Sequence, residues 1–171
     1  MWGRWPSEPP AWPVAPRPFA VEPIGGWIGR VAARYRMSVD ELALLYGLDL
    51  TFNRPGNEWL FVGRVGGATI DRLARLARIE PAMLNSMQGG LREPVRSPQI
   101  AYCPSCLFLN PLDVTSPCWK QDWLTPSASG CAIHAQTMTR LSITALRTCD
   151  NFDKLLRVIS RRERLRRSHS R

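Results

Sequence analysis

The sequence predicts a mainly α-helical protein: helix-turn-helix units, then a small cysteine-containing module, then a basic C-terminal helix. Two stretches with apolar residues at helical spacing, two pairs of metal-ligand residue types and an arginine-rich amphipathic end support this fold class. We expect four regions. They are a disordered Pro- and Trp-rich arm at 1–18, a helical domain with two helix-turn-helix units at 19–98, a zinc-knuckle or ribbon module at 99–141, and a basic helical tail at 142–171.

The N-terminal arm is defined by its prolines, which include Pro6, Pro9, Pro10, Pro13, Pro16 and Pro18. Proline lacks a backbone N–H and fixes φ, so this density excludes a helix. Trp2, Trp5 and Trp12 are interleaved with the prolines. We interpret the segment as a disordered or polyproline arm; the alternative is an arm whose tryptophans dock on the fold or on a partner.

The first helix-turn-helix unit begins after Pro23. Its first helix is predicted by five apolar residues that share one face, namely Ile24, Trp27, Ile28, Val31 and Tyr35. Ser38 and Glu41 then have the spacing of a capping box, which starts a second helix. Gly47 suits the left-handed end of that helix. The pattern is therefore helix, short turn, helix.

A second unit repeats this pattern at a shift of 42 positions. Its first helix carries Ile70, Leu73 and Leu76 at helical spacing, and Pro81 suits the first turn of its second helix. The shift aligns Val31 with Leu73, Ala32 with Ala74, Met37 with Ile79, Leu42 with Leu84, Leu45 with Met87, and Gly47 with Gly89. We interpret this as a weak internal duplication, although chance resemblance of small motifs is an alternative.

Two ligand pairs define the module between Tyr102 and His134. Cys103 and Cys106 form a C-x-x-C pair, and Cys131 and His134 form a C-x-x-H pair. Three sulfurs and one imidazole are ligands that Zn²⁺ takes in a closed tetrahedral site, so we expect one structural zinc ion. The alternative is a set of buried or disulfide-linked cysteines, which the odd count of five cysteines and the lack of a secretory signal disfavour. Cys118 is a rival ligand inside the loop.

The chain carries a net charge of +9, which favours an acidic partner such as nucleic acid. The candidate contacts are Arg30, Arg34, Arg36, Arg72, Arg75 and Arg78 in the helical domain, and Arg161, Arg162, Arg164, Arg166 and Arg167 in the tail. We expect phosphate contacts more than base reading, because Asp40 and Glu41 begin one second helix and would repel phosphate. The alternative is a solvated arginine face on helices that pack a core.

The sequence lacks the P-loop and dinucleotide-binding motifs, the zinc-protease motif and the nucleophile elbow, and it contains only two histidines. One of these is a candidate metal ligand and the other, His169, lies near the end of the tail. We therefore expect a non-enzyme. No apolar run approaches the ~18–20 residues of a membrane span, so we expect no membrane association and a cytoplasmic protein.

The sequence resembles the TniQ family of transposition proteins over roughly residues 17–141. The resemblance rests on Pro18-Phe19, Trp27, Arg30, Ala33, the helix-turn-helix that follows, Tyr102-Cys103-Pro104-Ser105-Cys106-Leu107, Trp123, and Cys131-Ala132-Ile133-His134. The family pattern is a PxPxxxE-type start, a Trp-x-x-Arg helix, and a YCPxCL knuckle answered by W…CxxH. Two departures are Gly25-Gly26, where the family tends to have Ser before Trp, and Ala135, where it usually has Gly.

The resemblance implies a target-site selector that acts beside a AAA+ ATPase, and by resemblance Cys103, Cys106, Cys131 and His134 bind the zinc. The expected function is an accessory adaptor in DNA transposition that links target DNA or a targeting complex to that ATPase. Expected partners are the ATPase and DNA, with a guide-RNA complex and a homodimer as further options. The alternatives are a stand-alone helix-turn-helix DNA-binding regulator and an inert truncated relic.

Overall fold

The computed structural model describes residues 9–50, 59–88, 98–108, 117–125 and 127–169. Within these ranges the fold is mainly helical with a small Cys/His module, so the predicted fold class is confirmed. The helices are α1 (Ile24–Arg34), α2 (Val39–Tyr46), α3 (Gly67–Ala77), α4 (Pro81–Ser86), α5 (Pro104–Phe108), α6 (Ile143–Arg147) and α7 (Phe152–His169). The strands are β1 (Gln99–Tyr102), β2 (Gly130–Cys131), β3 (Gln136–Thr137) and β4 (Thr139–Ser142), and 3₁₀ helices span Trp59–Phe61 and Gln121–Leu124.

Helices α1 and α2 form the first predicted unit. The Ser38 hydroxyl accepts from the Glu41 backbone N–H at 3.0 Å, and the Glu41 carboxylate accepts from the Ser38 N–H at 2.8 Å. This is the predicted capping box, which satisfies two N–H groups at the start of α2. Gly47 ends the helix with a φ of 59°, in the left-handed region that glycine adopts without a side-chain clash.

The two helix-turn-helix units share the same turn geometry. Arg36 and Arg78, which are 42 positions apart, have φ values of 57° and 56°. The residues after them, Met37 and Ile79, each donate a backbone hydrogen bond to the carbonyl five residues earlier, at 3.0 Å in both cases. This bond closes a helix through a left-handed residue. The two turns therefore share their backbone geometry as well as the aligned apolar residues, and the internal duplication stays a prediction.

Helix α1 packs tightly on the 3₁₀ helix Trp59–Phe61, a segment whose sequence is ambiguous between strand and helix edge. A methyl group on Gly25 would overlap the Trp59 carbonyl oxygen, and one on Gly29 would overlap the Trp59 indole ring. The indole Nε1 donates to the Cys149 carbonyl at 2.7 Å. The two glycines thus let a buried tryptophan lie directly on the α1 backbone.

The described part of the N-terminal arm packs against the helices. Trp12 is buried, and its backbone N–H donates to the Leu76 carbonyl at 2.7 Å. The expectation of a disordered arm therefore does not hold for residues 9–18, because the indole of Trp12 gains a place in the apolar core. Trp2 and Trp5 lie outside the described residues.

Helix α7, predicted as a basic tail, belongs to the packed structure. Its apolar face is buried, and Phe152 meets Trp59 edge-on at a centroid distance of 6.3 Å. Just before α7, the Asn151 side chain donates to the Met37 carbonyl at 2.8 Å, so the helix start is fixed to the turn between α1 and α2. None of the helices in the described ranges is long and apolar enough to cross a lipid bilayer.

Candidate metal centre and basic surface

The four predicted ligands come from two structural units that β-strand pairing holds together. Cys103 follows β1 directly and Cys106 lies in α5, whereas Cys131 ends β2 and His134 lies in the β2–β3 turn. β1 pairs antiparallel with β4, and β2 pairs antiparallel with β3. Because β3 leads into β4 within two residues, the two ligand pairs are brought to one point.

The ligand atoms form a compact cluster. The Cys106 and Cys131 sulfurs are 3.6 Å apart, and the His134 Nδ1 lies 3.3 Å from the Cys106 sulfur and 3.6 Å from that of Cys131. The Cys103 sulfur lies 3.5 Å from the same Nδ1, and all four atoms lie within 4.8 Å of one another. Tetrahedral zinc predicts edges of about 3.8 Å between sulfurs and about 3.6 Å between sulfur and nitrogen. The cluster therefore has the size and donor set that suit such an ion.

Neighbouring polar groups orient the first cysteine. The Cys106 backbone N–H donates to the Cys103 sulfur at 3.4 Å, and the Gln136 side-chain amide donates to it at 2.8 Å. The Gln136 amide oxygen in turn accepts from the Ser105 hydroxyl at 3.2 Å. Hydrogen bonds to a thiolate stabilise its charge and fix its direction, as outer groups do around protein-bound metals.

The cysteine thiols differ in acidity. Burial raises the pKa of the Cys106 thiol, and hydrogen bonds with Cys131 and Cys103 add to this. Burial also acts to raise the pKa of Cys131, but hydrogen bonds from the backbone and ring of His134 outweigh it and lower the pKa. A bound cation would deprotonate both thiols, so metal binding releases protons and weakens in acid.

The other residues of the loop do not join this cluster. Among the described residues, the group able to hold a metal consists of the four predicted ligands, and Cys118 lies outside it. Trp119 and Trp123 are buried and meet edge-on at a centroid distance of 5.5 Å. Tyr102 packs against Trp119 at 6.2 Å. The two tryptophans fill the core of the module and leave little surface on which a nucleic-acid base could stack.

A buried polar contact that sequence reasoning missed joins the metal module to α7. The Tyr102 hydroxyl, one residue before Cys103, donates to the Glu163 carboxylate at 2.6 Å. Burial raises the pKa of Tyr102, and the Glu163 bond raises it further. A signal was present in the sequence, because Glu163 continues the buried series Leu155 and Ile159 at intervals of four. An acid on the apolar face of an arginine-rich helix indicates a buried partner.

The predicted nucleic-acid contacts divide into buried and exposed arginines. Arg30 is buried and forms an ion pair with Glu22 at 2.7 Å, so its assignment to nucleic acid is corrected to a structural role. Arg72 is half-buried and donates to the Gly47 carbonyl at 2.7 Å, which closes the end of α2. The exposed members are Arg34, Arg36, Arg75, Arg78, Arg161, Arg162, Arg164, Arg166 and Arg167. Arg166 also donates to Glu163 and to Thr139.

These features define a class: a mainly helical protein with paired helix-turn-helix units and a Cys₃His cluster that can bind a metal. The TniQ family model matches residues 13–138, which covers most of the chain, and the protein therefore belongs to the TniQ family. Membership indicates a transposition-associated role with DNA binding, in a family of accessory domains without a known catalytic activity. Comparison with curated proteins gives no match.

Proposed function

We propose that this protein is a zinc-containing, non-enzymatic adaptor in DNA transposition that links target DNA to a AAA+ ATPase. The observation that carries the proposal is the Cys₃His cluster inside the region that matches the family model. Four protein ligands complete a tetrahedral site and leave no position for substrate, which supports a structural ion rather than a catalytic one. The metal would stabilise the module and its contact with α7.

The surface of α2 supports a protein partner. Leu44 and Leu45 are exposed at 86% and 58%, whereas Val39 and Leu42 of the same helix are buried. Asp40 and Glu41 are exposed on the same helix. Their charges would repel phosphate, so α2 does not suit the DNA-reading role of a second helix. Two exposed leucines beside two carboxylates would complement a protein partner whose contact surface is apolar at its centre and basic at its edge. We assign this surface to the ATPase.

A binding assay tests this assignment. The AAA+ ATPase of the same mobile element would be titrated with the wild-type protein and with the double variant Leu44→Ser/Leu45→Ser. We expect wild-type binding and a loss of at least about tenfold in the double variant, because the two leucines would anchor the contact. Leu165→Ser is the control, since Leu165 lies on α7 and is 55% exposed, close to the 58% of Leu45. Absence of wild-type binding, or equal binding by the double variant, would contradict the proposal.

The stand-alone DNA-binding regulator has less structural support. Its best reading helix, α4, spans only Pro81–Ser86. The Gln88 side chain beyond it is used within the fold, since it accepts from the Val65 N–H at 2.6 Å and donates to Asn85 at 2.9 Å. Few polar groups therefore remain for base edges. A guide-RNA complex and a homodimer stay predictions from the sequence.

A further inference from the structure

A cleft of about 780 Å³ lies between α1 and α7. Its apolar lining includes Ala33, Phe152 and Leu156, and the N-terminal arm contributes Pro16. The charged lining consists of five cations and one acid, namely Arg30, Arg34, Arg36, Lys154, Arg157 and Asp153. Low-dielectric walls focus the field of like charges inside a concave surface, so such a cleft attracts anions more strongly than a flat surface does.

Three of these cations are available to a ligand. Two others are already paired, Arg30 with Glu22 and Lys154 with Asp150. The remaining guanidinium groups have no hydrogen-bond or ion-pair partner among the described residues, and these groups belong to Arg34, Arg36 and Arg157. All three side chains are exposed. They approach the cleft from two elements, the end of α1 with its turn and the first half of α7.

The cations continue out of the cleft along α7. Lys154, Arg157, Arg161 and Arg164 are exposed and recur at intervals of three and four, which places them on one face of the helix. Ten residues of α-helix span about 15 Å. A cationic line of this length suits an extended polyanion better than a short acidic segment of a protein. The net charge of +9 and the DNA binding of the TniQ family favour the same class of ligand.

The lining also indicates how the polyanion is held. Among the residues that line the cleft, Phe152 is aromatic. Because its ring is buried, it offers no face on which a base can stack. Arginine side chains remain, and these bind phosphate oxygens without reading sequence. Arg36 is held in a left-handed backbone conformation by the turn, which fixes the start of its side chain.

We propose that the cleft between α1 and α7 binds the phosphodiester backbone of duplex DNA through Arg34, Arg36 and Arg157, independently of base sequence. The line of cations on α7 continues this contact through Arg161 and Arg164. The inference rests on the proposed function, since it names the surface of the adaptor that meets DNA. It differs from a helix-turn-helix contact because the second helices α2 and α4 take no part.

Fluorescence anisotropy with a labelled duplex of about 25 base pairs tests the proposal. The cleft variant is Arg34→Ala/Arg36→Ala/Arg157→Ala. The control variant, Arg64→Ala/Arg78→Ala/Arg162→Ala, removes the same charge from exposed arginines elsewhere and also replaces one left-handed arginine. We expect the cleft variant to bind the duplex at least about tenfold more weakly. The slope of log K against log salt should also decrease in magnitude by about three, one for each arginine removed. The control should lose about threefold or less, and two unrelated duplexes should bind equally.

Each other outcome overturns the assignment. Equal losses in both variants would indicate diffuse charge rather than a site. Tighter binding to an RNA duplex of the same sequence would overturn the choice of DNA. Poly-glutamate serves as a second probe. If the cleft variant lost binding to poly-glutamate but still bound DNA, the cleft would be assigned to an acidic protein segment. Circular dichroism verifies that both variants are folded. Because the assay uses the protein alone, failure of ATPase binding and failure of the cleft are separate results.

Discussion

Arg30 and Glu22 form a buried two-point ion pair that ties the segment before α1 to that helix. The Arg30 Nε donates to one Glu22 oxygen at 2.8 Å and its Nη2 to the other at 2.7 Å, with side-chain exposures of 4% and 0%. Nη2 also donates to the Arg17 carbonyl at 2.6 Å. The indole of Trp27 donates to the Pro16 carbonyl at 2.9 Å. The two halves of the family pattern, PxPxxxE and Trp-x-x-Arg, therefore bind each other.

Removal of the Arg30 side chain should destabilise the fold severely. Arg30→Ala leaves the Glu22 carboxyl buried without its partner, which costs about 3–5 kcal/mol of unfolding free energy. Urea unfolding at a pH above about 8, where the Glu22 carboxyl is ionised in the wild type, measures this. Arg34→Ala, one turn further along the same helix but exposed, is the matched control and should change stability by about 0.5 kcal/mol or less. An Arg30→Ala variant as stable as the control would show that the ion pair contributes little.

The pH dependence of stability should carry a signature of Glu22. Burial raises its pKa from 4.5 to about 7, although the Arg30 bond and charge act to lower it. The folded state therefore holds this proton more tightly than the unfolded state does. The stabilisation is full below pH 4.5 and is lost as the pH rises through about 7. The unfolding free energies of the wild type and of Glu22→Gln should be measured between these two pH values. As the pH rises, the wild type should lose stability relative to Glu22→Gln, because the glutamine does not titrate. A wild-type gain with rising pH would mean that the Arg30 charge outweighs burial.

The metal centre makes a prediction about composition. Purified wild-type protein should contain one zinc ion per chain, and both Cys103→Ser and His134→Ala should lower that content, because a tetrahedral site tolerates loss of a ligand poorly. Elemental analysis by mass spectrometry measures it. Cys118→Ser is the control and should keep the metal, since Cys118 lies outside the cluster. Full zinc retention in both ligand variants would refute the ligand set.

Local signals in the sequence predict much of this structure. Within each pair the two ligands are separated by two residues, so a single turn brings them together wherever the rest of the chain lies. The capping box at Ser38 and Glu41 likewise involves neighbours, as does the left-handed Gly47. Each of these predictions depends on fewer than five consecutive residues, and each is present in the structure. The geometry of the ligand turns, the capping box and the helix end is therefore determined by local sequence.

Contacts between distant residues were not predictable in the same way. Arg30 lies off the apolar stripe of α1, but this helix is covered on all sides, and a helix covered all round buries polar residues too. Asn151 bonds Met37 across 114 positions, and Trp59 bonds Cys149 across 90. The spacing of apolar residues predicts which face of a helix is buried, but it does not predict which element packs against that face. The packed state of α7 therefore had no local signal apart from its apolar stripe.

Substitution of the α1 glycines should be severely destabilising. The added methyl group of Gly25→Ala would overlap the Trp59 carbonyl oxygen, and that of Gly29→Ala would overlap the Trp59 indole ring. Neither the backbone nor the buried indole can shift without disturbing its other contacts. Overpacking of this kind costs about 1–3 kcal/mol or more, measured as a fall in the thermal midpoint. Gly67→Ala is the control, since it also lies in a helix but has nothing near the added methyl group. It should raise stability by about 0.4–1 kcal/mol. Equal effects at Gly29 and Gly67 would contradict the tight contact.

The turn that carries the fourth ligand is strained at the residue after it. Ala135 has a φ of 47°, in the left-handed region where a Cβ atom is unfavourable and where the family pattern has glycine. Ala135→Gly should therefore stabilise the folded protein by about 1 kcal/mol, because glycine adopts this conformation without a clash. Ala132→Gly is the control in the same turn. Ala132 has no positive φ, so glycine there should destabilise the protein by giving the unfolded chain more conformational freedom. Thermal unfolding measures both effects, and competition with a zinc chelator tests whether the relaxed turn also retains metal longer. A destabilising Ala135→Gly substitution would mean that the turn needs the alanine methyl group for packing more than it needs relief of the backbone.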